Sequence, residues 1–346
     1  MGFKTRLLHS QGITQLFPFQ ETVVEFFDNI GSSKKDLVVH APTGSGKTFA
    51  YALGLALYLK KAKCDGVIAV VLVPTQALAE QTMKLVKNMV GRKSIHRKYV
   101  IDTPESFFSS SRVNLIPSLK FLVIDEADRL ANELYKDYLE ELQRVPTEIL
   151  KVPTVWSTRC KRLLCSATYS PDGFYADMFD LINPETIFVN TEAKVSELRI
   201  SCNSNEKYQK FEDLMLGGRW QKILVFVNSI PMLKEVSSRL LQFDKLHGKV
   251  LTYFSDMPST SKAQVIEEFD NASTLSVLIS TDALARGVDI KNCDLVVNYE
   301  MPQSTSSYIH RIGRTGRGAF TGTAISFTCN PSDERIIRKR AHICEM

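Results

Sequence analysis

Residues 41–48 have the composition and spacing of a phosphate-binding loop. They read Ala-Pro-Thr-Gly-Ser-Gly-Lys-Thr and lie between an apolar run and a helix-like run. In such loops glycines let backbone N–H groups approach phosphate oxygens, the lysine reaches the β and γ phosphates, and the final hydroxyl ligates Mg²⁺. The strict pattern has Gly at position 41, where this chain has Ala, so a glycine-rich turn without nucleotide is the alternative. We predict a phosphate site formed by Thr43, Gly44, Ser45, Gly46, Lys47 and Thr48.

Two carboxylates directly follow a second apolar run. Asp125-Glu-Ala-Asp128 comes after residues 121–124, so its side chains emerge at the carboxyl end of a strand, where α/β sheets bind ligands. Asp125 suits a Mg²⁺ site, and Glu126 suits the orientation or deprotonation of an attacking water. Taken alone, the tetrapeptide could equally be a solvated acidic turn. The phosphate loop upstream favours catalysis.

Three arginines at intervals of three lie in residues 310–317, His-Arg-Ile-Gly-Arg-Thr-Gly-Arg. Such a run can be a solvated helix face. The functional interpretation is that Arg311 and Arg314 act as arginine fingers, delivered from a second domain to the γ-phosphate held by the first. This interpretation explains why the chain needs two domains.

Short apolar runs alternate with helix-patterned stretches along the whole chain, which predicts parallel sheets covered by helices on both faces. The runs form two series, so we expect an α/β fold with two sheets in tandem. We predict an N-terminal domain over residues 1–192, a polar linker over 193–205 and a C-terminal domain over 206–346. The predicted strands are residues 36–40, 67–73, 119–124 and 161–165, then 223–227, 249–253, 276–280 and 294–298.

Composition excludes several classes of protein. The 346 residues are 44% hydrophobic and 23% charged, which excludes collagen-like and wholly disordered chains. The apolar runs are too short to cross a membrane, and we expect neither secretion nor a lipid anchor. Seven scattered cysteines without a CxxC pair indicate reduced thiols inside the cell. The net charge of +5 permits an anionic partner without demonstrating one.

These motifs, in this order, resemble the DEAD-box ATP-dependent RNA helicase family over nearly all of the chain. Further matching stretches are residues 17–20 (Phe-Pro-Phe-Gln), 166–168 (Ser-Ala-Thr), 226–229 (Phe-Val-Asn-Ser) and 281–290. The resemblance implies two tandem RecA-like parallel-sheet domains with the ATP site in the cleft between them. It also implies ATP and Mg²⁺ as cofactors and RNA as a partner.

The resemblance further implies roles for individual residues. Gln20 would read the adenine edge, while Ser166 and Thr168 would couple the Asp125–Asp128 motif to closure of the cleft. His310 belongs to the arginine motif and counts with the catalytic residues, and Asp289 and Arg286 would lie at the nucleotide and domain interface. The RNA-facing residues would be Thr75, Thr103, Asn228 and Thr281. Their contacts would be to phosphate, so RNA binding would be independent of sequence.

Several positions depart from the family. The segment usually written PTREL is Pro-Thr-Gln-Ala-Leu at residues 74–78, and the segment usually written TPGR is Thr-Pro-Glu-Ser at 103–106. Residues 79–102 are too few for the usual helix, strand, double-glycine turn and second helix. The family's QxxR segment corresponds to Ser259–Lys262, and the family's aromatic residue upstream of the segment 17–20 has no counterpart. All of these losses fall outside the residues assigned to hydrolysis.

The leading hypothesis is therefore an RNA-dependent ATPase that separates short RNA duplexes or remodels RNA–protein complexes. The alternative is an ATP-gated RNA or protein clamp with little unwinding activity, and a catalytically dead scaffold is disfavoured because the hydrolysis residues are intact. Residues 12–20 look more like the large-subunit ribosome-assembly branch of the family than like its translation-initiation branch. This resemblance predicts a nucleolar location, with the cytoplasm as the alternative. We expect a monomer that needs an activating protein partner.

Overall fold

The structure is a computed structural model. It describes residues 3–29, 35–62, 66–91, 98–110, 119–131, 160–168, 178–179, 181–189, 195–217, 220–246, 248–285, 290, 293–316 and 321–345. The chain divides into two compact units. The first contains Met1–Pro42 and Gly46–Asn190, and the second contains Thr43–Ser45 and Thr191–Met346.

The first unit is a parallel six-stranded sheet with the strand order β3-β2-β4-β5-β1-β6. Strands β1 to β5 are buried, so the sheet needs helices on both faces. Its elements are α1 (Phe3–Ser10), α2 (Pro18–Asp28), β1 (Leu37–His40), α3 (Lys47–Lys61), β2 (Ala69–Leu72), α4 (Gln76–Val90), β3 (Tyr99–Asp102), α5 (Pro104–Ser109), β4 (Phe121–Ile124), α6 (Ala127–Leu130), β5 (Lys161–Ser166) and β6 (Glu185–Phe188).

Alternate residues of each strand enter cores on opposite faces of this sheet, as the period of two requires. Val39 belongs to one core, with α2 and α3, while Val38 belongs to the other. Helices α2 and α3 approach closely at Gly54, where an added Cβ would lie 2.5 Å from the ring of Phe27. Glycine at position 54 therefore lets these two helices carry their loops to the same edge of the sheet.

The second unit is also a parallel six-stranded sheet, with the strand order β7-β12-β11-β8-β10-β9. Its strands alternate in the same way, with Val225 in one core and Leu224 in the other. Its elements are β7 (Val195–Ser201), α7 (Ser204–Leu216), β8 (Lys222–Phe226), α8 (Ile230–Leu240), β9 (Val250–Tyr253), α9 (Ser259–Asn271), β10 (Ser276–Ser280), β11 (Leu295–Asn298), α10 (Thr305–Ile312), β12 (Gly322–Thr328) and α11 (Pro331–Glu345).

The predicted linker over residues 193–205 is wrong for Val195–Ser201. These residues form β7, an edge strand whose register with β12 runs from Val195 opposite Gly322 to Ser201 opposite Thr328. The strand is largely exposed, with Leu198 at 54%. A polar sequence is what an edge strand requires, since only one flank is paired and charged residues discourage association with other chains. Composition alone therefore could not separate it from a linker.

All eight predicted strands are confirmed within a few residues, and so is the fold class of two tandem parallel-sheet units. The short segment 79–102 contributes most of α4 and all of β3, with residues 92–97 outside the described part. Within the described ranges, no helix is long and apolar enough to span a membrane.

Candidate functional site

The phosphate loop joins the end of β1 to the start of α3. Gly44 and Gly46 have φ values of 81° and 89°, a left-handed conformation that glycine adopts without strain. At Gly46 an added Cβ would also lie 2.5 Å from Gln20 Nε2, so it would displace the amide that donates to the Gly46 carbonyl oxygen. The Lys47 ammonium donates to the carbonyl oxygens of Ala41 (2.5 Å) and Pro42 (3.0 Å). The loop is thereby folded back over the first turn of its own helix.

Gln20 connects the start of α2 to this loop. Its Oε1 accepts a hydrogen bond from the Phe17 backbone N–H (3.0 Å), and its Nε2 donates to the Gly46 carbonyl oxygen (3.4 Å). The Phe17 side chain is 63% exposed, and its ring stacks on that of Phe19 at a centroid distance of 6.4 Å. An amide fixed beside an exposed aromatic ring offers the two groups that a planar heterocycle needs, a hydrogen-bonding edge and a stacking face.

Asp125 is the centre of a buried hydrogen-bond network. Its Oδ2 accepts from the Thr48 hydroxyl (3.0 Å) and from the Tyr51 hydroxyl (2.8 Å), and its Oδ1 accepts from the Glu126 N–H (2.9 Å). Burial raises the pKa of Asp125, opposed by the positive charge of Lys47. Burial likewise lowers the pKa of Lys47, opposed by the negative charge of Asp125. Each group therefore depends on the other to stay ionised.

Glu126 has a strained backbone. Its φ of 48° and ψ of 50° are left-handed, a conformation that costs a residue with a Cβ about 1–2 kcal/mol. Its Oε2 is shielded from solvent and has no hydrogen-bond partner in the described structure. Strain retained at such a position indicates a functional constraint. The turn therefore presents a carboxylate oxygen that makes no hydrogen bond within the described residues.

Ser166 and Thr168 are tied into one turn after β5. The Ser166 hydroxyl donates to the Thr168 carbonyl oxygen (2.7 Å) and accepts from the Thr168 N–H (3.1 Å). The same carbonyl oxygen accepts from His40 Nδ1 (3.0 Å), at the last residue of β1. This turn is therefore linked to the strand that leads into the phosphate loop.

Sequence reasoning missed His40 and Tyr51. His40 stacks on Phe188 at 5.3 Å, and burial lowers its pKa, so the neutral ring with Nδ1 protonated fits the contact with Thr168. Tyr51 is fully buried and lies one helical turn after Lys47. The available signal was a polar group in an otherwise apolar strand or helix. That signal shows that a partner is needed but does not show which one.

We call the residues after β1, β4 and β5 the nucleotide side, and the residues after β2 and β3 the threonine side. On the threonine side, Thr75 and Thr103 are the N-caps of α4 and α5. The Thr75 hydroxyl accepts from Leu78 N–H and the Thr103 hydroxyl from Ser106 N–H, both at 3.3 Å. Both threonines are half-buried, and the departing residues beside them, Gln76, Glu105 and Ser106, are exposed.

In the second unit, Arg311 is fully buried. Its guanidinium donates to Asp282 Oδ1 (2.6 Å), to the Glu300 carbonyl oxygen (2.7 Å) and to Asn228 Oδ1 (2.8 Å). It also lies 5.2 Å from the ring centroid of Phe226. Every nitrogen of this side chain is engaged within its own unit, which is the behaviour of a structural residue.

The other predicted residues of the second unit have different surroundings. Asn228 also donates through Nδ2 to the Met301 carbonyl oxygen (2.8 Å), and Thr281 Oγ1 accepts from Ala283 N–H (3.4 Å). His310 and Arg314 are buried, and Arg314 Nε donates to the His310 carbonyl oxygen (3.3 Å). Three further members of the predicted motifs lie outside the described residues, namely Arg286, Asp289 and Arg317.

Comparison with known families agrees with this geometry. The model for the DEAD/DEAH box helicase domain matches residues 17–174, and the model for the helicase conserved C-terminal domain matches residues 206–319. Together they match more than half of the chain. The chain belongs to the DEAD-box helicase family.

Curated relatives share this similarity at low identity. ATP-dependent RNA helicase DBP6 of Candida albicans is 27% identical over 396 residues, covering 99% of this chain and 64% of the relative. ATP-dependent RNA helicase ROK1 of Meyerozyma guilliermondii is 31% identical over 327 residues, covering 85% and 58%. The chain thus spans about three fifths of the length of these relatives.

A solved structure confirms the tandem RecA-like fold. S. cerevisiae Dbp5 bound to RNA and ADP BeF3 has a TM-score of 0.81 with 22% identity, covering 99% of this chain and 91% of that one.

Proposed function

We propose that this chain is an RNA-dependent ATPase that uses ATP hydrolysis to separate short RNA duplexes or to remodel RNA–protein complexes. The observation that carries the proposal is the network in which the phosphate loop, through Thr48, is hydrogen-bonded to Asp125 beside the strained Glu126. The curated relatives carry the name ATP-dependent RNA helicase. The test is ATP turnover with and without RNA, with Lys47→Ala as the control that weakens nucleotide binding.

The residues present fit Mg²⁺ and ATP. Thr48 Oγ1 and Asp125 Oδ2 lie 3.0 Å apart, and both are oxygen ligands of the kind that Mg²⁺ prefers beside substrate phosphates. When bound, Mg²⁺ neutralises charge that develops on the phosphates. Gln20 offers its amide to adenine, and exposed Phe17 offers a ring on which adenine can stack. Lys47 leaves the carbonyl oxygens of its own loop to hold the β and γ phosphates.

Glu126 is the residue that orients and deprotonates the attacking water. Its negative charge acts on Lys47 of the loop, where it favours a higher pKa, and its Oε2 has no hydrogen-bond partner in the part of the chain that the structure describes. Ser166 and Thr168 transmit the state of the nucleotide side through their shared turn, with His40 as the link to the phosphate loop.

Of the two predicted arginine fingers, we retain Arg314 and assign Arg311 a structural role. Arg311 would have to break three hydrogen bonds and leave Asp282 without its cation to reach a phosphate. Arg314 belongs to the second unit, so its use at the γ-phosphate requires the two units to close on ATP held in a cleft between them. Arg286 and Asp289, which lie outside the described residues, stay proposed for that interface, and His310 stays proposed as a catalytic residue.

RNA contacts are proposed for Thr75 and Thr103 in the first unit and for Asn228 and Thr281 in the second. All four carry small polar side chains suited to phosphate oxygens, so RNA binding is independent of sequence and sensitive to salt. Asn228 meets RNA only with its amide already held by Arg311 and Met301, which fixes its orientation.

An ATP-gated clamp with little unwinding activity is the second candidate. The exposed Gln76, Glu105 and Ser106 favour it, because they put neutral or acidic groups where phosphate should approach. A duplex-unwinding assay beside an RNA-retention assay separates the two. Release of a labelled strand at the rate of ATP turnover supports the helicase, and retention of intact duplex supports the clamp.

The cellular role proposed is ribosome assembly in the nucleolus, as a monomer that needs a protein activator. The resemblance of residues 12–20 and the similarity to DBP6 and ROK1 support it. Crosslinking the chain to RNA in cells and sequencing that RNA tests this role, since recovery of messenger RNA without ribosomal precursors would contradict it.

A further inference from the structure

Two cysteines of the second unit are side by side at the ends of neighbouring strands. Cys202 directly follows β7 and Cys329 directly follows β12, and the register that pairs Ser201 with Thr328 continues into them. The Cys202 N–H donates to the Thr328 carbonyl oxygen (3.1 Å). The two sulfur atoms are 3.6 Å apart, although the residues are separated by 127 positions in the chain.

These thiols differ from the other cysteines that the structure describes. Cys160, Cys165 and Cys293 are buried, whereas Cys202 and Cys329 are partly exposed. The sulfurs of Cys160 and Cys293 donate to backbone carbonyl oxygens, which is how an inert core thiol is accommodated. Each thiol of the Cys202–Cys329 pair instead contacts another thiol, and both are partly exposed, so small solutes can reach them.

The backbone geometry at the pair suits a covalent bridge. Neighbouring strands lie about 4.8 Å apart, which falls within the Cα separation of disulfides, about 4.4–6.8 Å. Forming the bond would shorten the sulfur distance from 3.6 Å to about 2.05 Å, a change of the size that side-chain rotation provides. In the described ranges, no three His, Cys, Asp or Glu side chains are grouped so that they could hold a metal ion.

We propose that Cys202 and Cys329 are a redox modification site that forms a reversible disulfide. With a peroxide as the oxidant, one thiolate attacks a peroxide oxygen, the O–O bond breaks, and a sulfenic acid and hydroxide result. The second thiol then attacks the sulfenic sulfur, the S–S bond forms, and water leaves. The net change consumes two thiols and one hydrogen peroxide and yields one disulfide and two waters. A dithiol reductant reverses it by exchange.

The electrostatic surroundings make this a slow modification. Burial and the neighbouring Cys329 thiol raise the pKa of Cys202 to about 11, against the opposing positive charges of Lys207 and Lys210. Only a small fraction of the Cys202 thiol is ionised at neutral pH, which slows its attack on a peroxide.

The bridge would join the first and last strands of the second unit. The two strands are neighbours in the sheet, but β8 to β11 lie between them in sequence. The bridge therefore closes a loop of the chain that spans 127 positions. Cross-links that close long rings restrict the unfolded chain and so favour the folded unit. The bridge also joins the starts of α7 and α11, where Asn203 caps one helix and Asp333 accepts from the Cys329 N–H (2.8 Å).

The experiment oxidises the whole chain with hydrogen peroxide and, separately, equilibrates it in an equimolar mixture of reduced and oxidised glutathione. Free thiols are then blocked and the chain is digested without reductant. We expect a pair of peptides linked through Cys202 and Cys329, two mass units lighter than the sum of the two reduced peptides. Dithiothreitol should separate them. The thermal midpoint of the second unit should rise by at least about 4 °C on oxidation.

Matched variants separate a bridge from general oxidation. Cys202→Ser and Cys329→Ser should each abolish the linked peptide and the thermal shift, whereas Cys160→Ser in the first unit should keep both. Full alkylation of Cys202 and Cys329 after oxidation would overturn the proposal. So would a thermal shift that persists in Cys202→Ser, or a pair that stays reduced in the glutathione mixture.

Discussion

The nucleotide side and the threonine side of the first unit both form where strands of one sheet end, yet they hold their polar residues differently. On the nucleotide side, Asp125 is fixed by side chains from another helix, and Gln20 reaches across to the phosphate loop. On the threonine side, Thr75 and Thr103 bond only within the first turns of the helices they cap. One side is held by tertiary contacts and the other by local ones.

This difference explains where the sequence departs from its family. A change on the nucleotide side leaves a buried polar partner unsatisfied, which costs about 1–3 kcal/mol or more. A substitution at an exposed position beside a helix cap usually changes the free energy of unfolding by less than about 0.5 kcal/mol. Gln76 and Glu105 lie at positions of the second kind. Ser106 is exposed too, but its hydroxyl donates to Oδ2 of the buried Asp102 (2.9 Å), a bond within the same helix start. Gln76 and Glu105 can therefore diverge, in RNA affinity too, without damage to the fold.

The largest effect should come from Glu126→Gln on the nucleotide side. Removing the water-activating carboxylate should lower kcat by up to about ten-thousandfold, while nucleotide and RNA affinities stay within about twofold. Steady-state turnover beside binding titrations measures both. Glu105→Gln, an acid-to-amide change on the threonine side, is the control and should leave RNA-free turnover unchanged. If the Glu126 variant turns over at the normal rate, the nucleotide side does not contain the base.

Arg314→Ala and Arg311→Ala extend the comparison to the second unit. Arg314→Ala should reduce RNA-stimulated turnover of the folded protein by about a thousandfold, which is the scale of a lost arginine finger. Arg314 is also buried, so its unfolding is measured beside the rate. Arg311→Ala should instead destabilise the second unit by about 3 kcal/mol or more, because it removes a buried cation with three hydrogen bonds. Urea unfolding and single-turnover rates on both variants check this. A stable Arg311 variant with the same rate loss would restore Arg311 as a finger.

Restoring the family's residues on the threonine side should strengthen RNA binding. Gln76→Arg with Glu105→Gly and Ser106→Arg should tighten binding by about a hundredfold, since each charge-assisted phosphate contact is worth about 1.5–3 kcal/mol. The dependence of affinity on salt should steepen by about one to two units, because each new contact releases counterions. Titration with single-stranded RNA across a salt series gives both quantities.

A control for this variant adds the same positive charge elsewhere. Gln209→Arg with Gln242→Arg and Glu267→Gln changes exposed residues of α7, α9 and the end of α8. It should gain far less affinity than the threonine-side variant. Equal gains in the two variants would show general electrostatic attraction, and no gain in either would mean that other residues hold RNA.

The smallest effect concerns Tyr51→Phe, which removes one hydrogen bond from Asp125. We expect a loss of about 1.5–3 kcal/mol in stability of the first unit, since the acceptor is charged. Burial already raises the pKa of Asp125, and the Tyr51 hydroxyl opposes that rise. Mg²⁺ binds the ionised carboxylate, so Mg²⁺-dependent turnover is lost as the pH falls through the pKa of Asp125. Without the Tyr51 hydroxyl this pKa is higher. Tyr51→Phe should therefore lose turnover at a higher pH than the unmodified protein.

The control for Tyr51→Phe is Tyr58→Phe on the same helix. The Tyr58 ring packs edge-on against Phe121 at 4.9 Å, and that contact needs no hydroxyl. This change should cost less than about 0.5 kcal/mol and leave the pH profile alone. Equal pH profiles for the two variants would remove Tyr51 from the network.

Sequence patterns predicted residues that act through local geometry. An apolar strand followed by glycines and a lysine predicts that Lys47 lies just beyond the end of its strand. An apolar strand followed by carboxylates predicts the same for Asp125. The hydrogen bonds of Arg311 could not be predicted, because its partners, Asn228, Asp282 and Glu300, come from separate parts of the chain. His40 and Tyr51 were missed for the same reason. Contacts distant in sequence leave no periodic signal.

The register of β7 has a practical consequence for dividing the protein. The family model for the second unit begins at residue 206, beyond the end of β7. A fragment cut there would lose the strand that covers β12, baring a row of unpaired amides and carbonyls beside Ile325 and Phe327. Such an edge recruits strands from other molecules. A recombinant second unit should therefore begin before Val195, and one that begins at residue 206 is expected to precipitate.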